Sequence, residues 1–502
     1  MNIMSLKKII RPSLAFLVVI YMATTGCFKD EIVNTDSNVK LRFSVDTLLF
    51  DTTFTQVGSA TKIVKIHNDG NRPIEISKIK IRGTQGLHFT LNVDGINGNE
   101  ITNARIESKD SIYVFCKVNV DPDQSVSVSP FVLTDYLDCT INGNLQSIVL
   151  VAWGQNANYI TGKDNQGKQS LLTCNFGTIS WNDPKPYVIY GSLVIDQCKL
   201  IIPAGTRIYV HGGLVFPDKA SPFIDGRIFI AEDGQLLIDG TKEKPVLFRG
   251  DRLEKEYNNQ SGQWGGIILY KSKFVNVFNY LDLRNSNFGV VADSATALHI
   301  NHSIIDNVSL SCLIGNHATI KATNCLFANS AGDNILLTYG GNYSFDYCTV
   351  PNSTGQTSAL SMDNYTCTLN ELGICKEGTI RANKAELKVR NSILSGVDND
   401  EIKLVDVFEG KQQDMFQFNI SNSVIRVKEN LQNDYFNERI KDVYILQNLD
   451  RLYANENKSD YRLDSISVAK YLAMPIPTIP DDLPGNIRKT DKSDAGCYEY
   501  LD

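Results

Sequence analysis

LHINHSII (298–305), IKATNCLF (320–327), YSFDYCTV (343–350), LKVRNSIL (387–394) and FNISNSVI (418–425) share one pattern. Each opens on an apolar residue. Mostly polar residues follow, then a small Ser or Cys, then usually an apolar pair. The small residue falls at Ser303, Cys325, Cys348, Ser392 and Ser423. The first two intervals are 22 and 23 residues, the third, 44, is twice the first, and the last is also longer than one repeat. A strand motif returning near 22 residues predicts a coil wound on itself, a parallel β-helix. One coil cannot bury its own inner face, but stacked coils can. The Ser/Cys column then reads as packed interior. The residue before each small one is His302, Asn324, Tyr347, Asn391 or Asn422, and three Asn in five predict a short amide ladder along the rod.

A chain of 502 residues suits a solenoid with one further domain. The 42% apolar content supports a folded core, and abundant Gly, Asn, Asp and Ser fit strands broken by turns. Residues 1–27 read as a targeting segment. Lys7, Lys8 and Arg11 are its basic region, and Leu14 to Met22 is an apolar run too short to span a bilayer comfortably. Ala23-Thr24-Thr25-Gly26-Cys27 resembles the bacterial lipobox, which implies that Cys27 carries a lipid and ties the chain to a membrane. Lys29, Asp30 and Glu31 resemble the surface-export signal of Bacteroidetes lipoproteins. This implies an outer-membrane anchor facing the cell exterior, with the periplasmic face as the alternative.

Without the targeting segment the count is 46 basic against 56 acidic residues. No dense basic run occurs, so a nucleic-acid partner is not expected. Of eleven cysteines, Cys367 and Cys375 are the best local disulfide candidates, and Cys325 and Cys348 read as stacked free thiols. No Cys/His spacing points to a metal, and no Walker, GxSxG or dinucleotide fingerprint points to a cofactor.

In chain order, residues 28–38 read as a tether and 39–155 as a β-sandwich of short strands. KIVKIH (62–67), the Asn68-Asp69-Gly70 turn and IEISKIKI (74–81) resemble Ig-like domains of the ASH type. This unit reads as a spacer that lifts the next domain off the membrane, with an adhesive or partner-binding module as the alternative. Residues 156–187 read as a connector, 188–430 as the β-helix and 431–502 as a cap over the last coil's edge. The β-helix carries Pro203-Ala204-Gly205-Thr206, Asp233-Gly234, Gly240-Thr241, Lys244-Pro245-Val246-Leu247-Phe248 and Trp264-Gly265-Gly266-Ile267 in order. That series resembles the right-handed parallel β-helix proteins of Bacteroidetes within the pectin-lyase-like superfamily. The fold class expected is all-β, a right-handed parallel β-helix preceded by a β-sandwich.

Lyases of that superfamily need clustered carboxylates with a neighbouring Arg or Lys, and hydrolases need two carboxylates at a set distance. Asp282 with Arg284, Asp293, Asp306, Asp333 and Asp363 are the acidic candidates, and they do not fall in one column of the repeat. His299, His302 and His317 read as packing and turn residues, so no catalytic residue is assigned. Trp264, Tyr270, Tyr339 and Tyr343 form the candidate ligand face, if they share an outer surface on which sugar rings stack. The expected function is non-catalytic binding of an extracellular polysaccharide or protein partner. The alternatives are a polysaccharide lyase or glycoside hydrolase, and a structural envelope component. The excursion near residues 366–385 breaks the repeat and is a further place for binding.

Overall fold

The computed structural model describes residues 32–54, 59, 61–83, 87–120, 131–162, 169–215, 223–369, 375–376 and 378–501. Cys27, Lys29, Asp30 and Glu31 lie outside the described residues. The chain divides into two units, with the boundary between Gln155 and Asn156.

Alternation of apolar residues builds the first unit. Lys62–His67 and Ile74–Ile81 bury Val64, Ile66, Ile74, Ile76 and Ile79 and expose or half-expose the residues between them. Two five-stranded sheets result. One orders Arg42–Phe43, Lys62–His67, Ser111–Val120, Leu87–Val93 and Ile96–Gly98. The other orders Thr47–Phe54, Asn144–Gln155, Phe131–Ile141, Ile74–Ile81 and Glu100–Ile106. Neighbours are antiparallel except Thr47–Phe54, which lies parallel to Asn144–Gln155. The inner residues of both sheets share one core, a β-sandwich. Asn68 ties its turn. The amide Nδ2 donates to Arg72 O (2.8 Å), Glu107 O (2.9 Å) and Ile106 O (3.2 Å), while Oδ1 accepts from Gly70 N (3.0 Å).

The second unit is a parallel β-helix with three strand columns. The first two belong to a 17-stranded sheet, and the third is an 11-stranded sheet running from Asn158–Thr161 to Tyr444–Ile445. The opening motif falls in register. Leu298 pairs with Ile320, Ile320 with Tyr343, Tyr343 with Leu387 and Leu387 with Phe418. At about 4.8 Å per coil, the third column is about 48 Å long.

The Ser/Cys column lies inside, and Ser303, Cys325, Cys348, Ser392 and Ser423 are all buried. The hydroxyls do a defined job there. Ser392 Oγ donates to Arg390 O (2.7 Å) and accepts from Cys348 N on the preceding coil (3.0 Å). Ser423 repeats this with Ser421 O and Ser392 N, and Ser303 with Asn301 O and Leu281 N. The small residue thus joins neighbouring coils where the chain turns a corner.

Two boundaries differ from the sequence reading. Residues 156–187 are the first coil and not a connector. Asn158–Thr161 pairs with Tyr187–Tyr190, Leu171–Leu172 with Leu193–Ile195, and Thr178–Ser180 with Lys199–Pro203. These strands have two to four residues each, too few to show a period. A disulfide, Cys174–Cys198, joins this coil to the next, and Cys367–Cys375 closes the excursion.

The second difference concerns the C-terminus. Coils continue to Tyr444–Ile445, and the chain then returns along the outside of the third column as a strap. Leu452, Leu463, Ala469, Ala473 and Ala495 pack on Tyr347, Ile393 and Val424. Tyr461, Leu483 and Cys497 pack on Leu326 and Ala328. The third-column strands from Leu326 to Ile425 are therefore covered on both sides, and all four residues of Thr349–Asn352 are buried.

The expected amide ladder is likewise a different device. His302, Asn324, Tyr347, Asn391 and Asn422 all take left-handed backbone, with φ between 47° and 54°. Only His302 and Asn324 touch each other in ladder fashion, at 3.0 Å. Several of these side chains reach outward to hold the strap. Asn391 exchanges two hydrogen bonds with the backbone of Met474, Tyr347 Oη meets Ser493 Oγ at 2.9 Å, and Asn324 Oδ1 accepts from Arg488 Nη2 at 2.8 Å.

Candidate functional site

The period of two that fills the rod also decides what faces out. On the first column, alternate residues line up coil upon coil in two parallel tracks. One runs Val194, Phe229, Ile268, Val291, Ile314, Leu336, Ser361, Lys403. The other runs Tyr270, Asp293, Asn316 and Thr338, and beyond the Leu337–Met362 pair it continues with Asp363, which pairs with Val405. The first is apolar as far as Leu336. The second offers hydrogen-bonding groups from Asp293 to Asp363. Phe229 and Tyr270 stand with ring centroids 5.5 Å apart, and Lys271 Nζ lies 5.2 Å from the Tyr270 ring. Asn316 Nδ2 donates to Asp293 Oδ1 at 2.8 Å. Asp363 Oδ1 accepts from Tyr339 N at 2.8 Å, and burial raises the pKa of this carboxyl above its ordinary value.

The second column carries a shallow depression of about 630 Å³, with Asn342, Ser344, Glu386, Lys388, Gln417 and Asn419 in its lining. Glu386 is held by Asn342 Nδ2 at 2.8 Å and Lys384 Nζ at 2.5 Å. The depression is amide-rich and suits hydroxylated ligands more than apolar ones.

The candidate aromatic face does not form as a unit. Trp264 is fully buried, its indole N–H donating to Arg284 O at 3.0 Å and its ring beside Phe248. Tyr343 is 1% exposed and donates to Gly340 O at 2.7 Å. Both rings fill the rod, so neither has a face to offer a sugar. Tyr270 stays at the surface, on the second track. Tyr339 sits at the corner between the first two columns with φ of 59°, its ring 5.7 Å from His317.

The carboxylates are more ordered than expected. Asp293 and Asp363 share a track, and the intervening rows carry Asn316 and Thr338, so no acidic repeat shows in the sequence. On the third column Arg284 pairs in register with Asp306. Asp282 bridges Arg249 (3.0 Å) and Arg284 (2.7 Å), and Arg284 continues to Asp306 (3.0 Å). Asp306 accepts further from Asn329, which meets Tyr461 of the strap. These charges are mutually satisfied. Asp333 caps Ser358 through both its N–H and its hydroxyl. Burial and nearby Lys321 depress the pKa of His299, and His302 contacts Asp481 of the strap at 3.2 Å. Among the described residues, no group of three or more His, Cys, Asp or Glu is placed to hold a metal ion.

Sequence reasoning missed one pair. Tyr190 pairs with His211 across neighbouring coils, with ring centroids 4.8 Å apart, and His211 Nδ1 meets Asp251 Oδ2 at 2.7 Å. The hydrogen bond to Asp251 raises the His211 pKa despite burial. The two residues lie 40 positions apart because a long excursion separates their strands, so no local spacing announces them.

With this geometry the second unit is a parallel β-helix. The family model described as a pectate-lyase like beta helix domain matches residues 173–290. No curated protein matches the chain. Among solved structures, the catalytic unit of a thermostable GH87 α-1,3-glucanase from Streptomyces thermodiastaticus strain HF3-3 is similar at 8% identity, over 76% of this chain and 74% of that one, with a TM-score of 0.25. A family 123 glycoside hydrolase from Clostridium perfringens, described for glycolipid glycan hydrolysis, is similar at 6% identity over 37% of this chain, with a TM-score of 0.17. The chain spans 44% of that hydrolase.

Proposed function

We propose that this protein is a lipid-anchored envelope protein whose β-helix binds an extracellular polysaccharide without cleaving it. The observation that carries this reading is the pair of tracks on the first column. A sugar polymer has apolar C–H faces and hydroxylated edges, and an apolar track beside a hydrogen-bonding one matches both at once. Cys27 is the lipid attachment site in this reading. Lys29, Asp30 and Glu31 direct the protein to the cell surface, in the manner of Bacteroidetes lipoproteins, and the Ig-like sandwich is the spacer. The test is retention of the full-length protein on a panel of polysaccharides, with new reducing or unsaturated ends followed in parallel. Retention without new ends supports the reading, and turnover overturns its non-catalytic part.

A second reading, a polysaccharide lyase or glycoside hydrolase, is favoured by one observation. The His211–Asp251 pair lies within the region similar to pectate-lyase-like domains and has the form of an oriented acid–base group. Turnover lost in His211→Ala with retention kept would establish it.

A further inference from the structure

We infer that the ligand of the first column is a neutral polysaccharide chain lying along the rod axis, and not a polyuronate. This rests on the polysaccharide reading above and narrows it. The two tracks run from coil to coil, so a polymer that follows them lies parallel to the axis. Five successive rows, from Ile268 with Tyr270 to Ser361 with Asp363, form their continuous part and extend about 19 Å.

The charge of those rows decides the class. Asp293 and Asp363 are the ionisable groups of the hydrogen-bonding track, and Asn316 and Thr338 stand between them. Among the described residues of these five rows, neither track carries a Lys or Arg. Lys271 stands at one margin, against the Tyr270 ring, and Lys403 at the other, one row beyond Ser361. A uronic-acid polymer repeats a negative charge along its length. It would set those charges over two carboxylates with no guanidinium or ammonium between. Neutral hydroxyls meet no such penalty. They can donate to lone pairs left free on Asp293 and Asp363, each of which already accepts a bond from the protein. The apolar track from Ile268 to Leu336 then receives the C–H face.

The experiment compares retention of the full-length, detergent-extracted protein on neutral galactan and glucan with retention on polygalacturonate and chitosan, at low and high salt. The expected result is neutral binding that is insensitive to salt and polygalacturonate binding weaker by about tenfold or more at low salt. Asp293→Asn with Asp363→Asn narrows that gap. Tighter binding of polygalacturonate or chitosan than of the neutral chains overturns the inference while leaving the polysaccharide reading in place. Retention of none, or neutral retention unchanged in the surface variant Ile314→Asp with its thermal unfolding preserved, overturns both.

Discussion

Arg488→Met is predicted to release the C-terminal strap while leaving the coils folded. The Arg488 side chain is 3% exposed and pairs with Glu499, 1% exposed, at 3.2 Å. Its guanidinium also donates to Asp481 O (3.0 Å), Asp494 O (3.3 Å), Gly496 O (3.0 Å) and Asn324 Oδ1 (2.8 Å), and lies 3.8 Å from the Tyr347 ring centroid. Burial lowers the Arg488 pKa and raises that of Glu499, but a guanidinium does not lose its proton under ordinary conditions. Removing it strands a buried carboxylate, which costs about 3–5 kcal/mol. At 1.36 kcal/mol per tenfold, a loss of about 4 kcal/mol raises the open population about a thousandfold. Arg488→Lys should fail similarly, because one ammonium cannot reproduce the planar fork. Arg488→Met with Glu499→Gln should recover part of the loss. Native-state hydrogen exchange reads the result at the Ala473, Ala495 and Gly496 amides, which bond to Ser493, Ala469 and Asn391 carbonyls. The Ile320 amide, deep in the rod, should keep its protection. Unchanged strap exchange, or equal loss at Ile320, would refute the account of the strap as a separately held element.

Other perturbations test other levels of the structure. Asn68→Ala should destabilise the sandwich by about 1–3 kcal/mol, read by chemical denaturation, because it strips four hydrogen bonds from one turn. Ser392→Ala should cost the β-helix about 1–3 kcal/mol by leaving the buried Cys348 N–H without its acceptor. Glu401 is fully buried and its folded pKa is raised by burial, so the folded state holds its proton more tightly. Its contribution is therefore complete below the ordinary value of 4.5 and is lost as pH rises through the raised one, and the difference between wild type and Glu401→Gln should follow that window in thermal melts. Cys27→Ser should abolish acylation and detergent partitioning, as measured by mass spectrometry and phase separation; an unlipidated wild-type protein would remove the anchor from the proposal.

The repeat was legible because one constraint recurs in five successive coils. A corner needs a left-handed residue and then a small buried one, and the pairs from His302-Ser303 to Asn422-Ser423 show it. The strap was written in the same motif but was not read. The apolar pairs Leu326-Phe327, Ile393-Leu394 and Val424-Ile425 put one residue inside the coil and its neighbour outside, where an uncovered strand would carry a polar group. The tracks were hidden for a different reason. Asn316 and Thr338 stand between Asp293 and Asp363 on their track, and an excursion separates His211 from Asp251, so like residues that share a column in space do not recur at one spacing in sequence. Aromatic character misled as well, since Trp264 and Tyr343 satisfy their polar atoms inside the rod.

Solenoids commonly change length by gaining or losing whole repeats, since each coil meets only its neighbours. The strap withdraws that freedom from part of this rod. It reaches Asn324 through Arg488, Tyr347 through Ser493 and Asn391 through Met474, on three successive coils. A coil inserted or deleted between Asn324 and Asn391 would shift one docking point past its partner. The strap thus works as a gauge that counts coils, and evolutionary growth or shrinkage of the rod should be confined to the coils outside the span between its docking points.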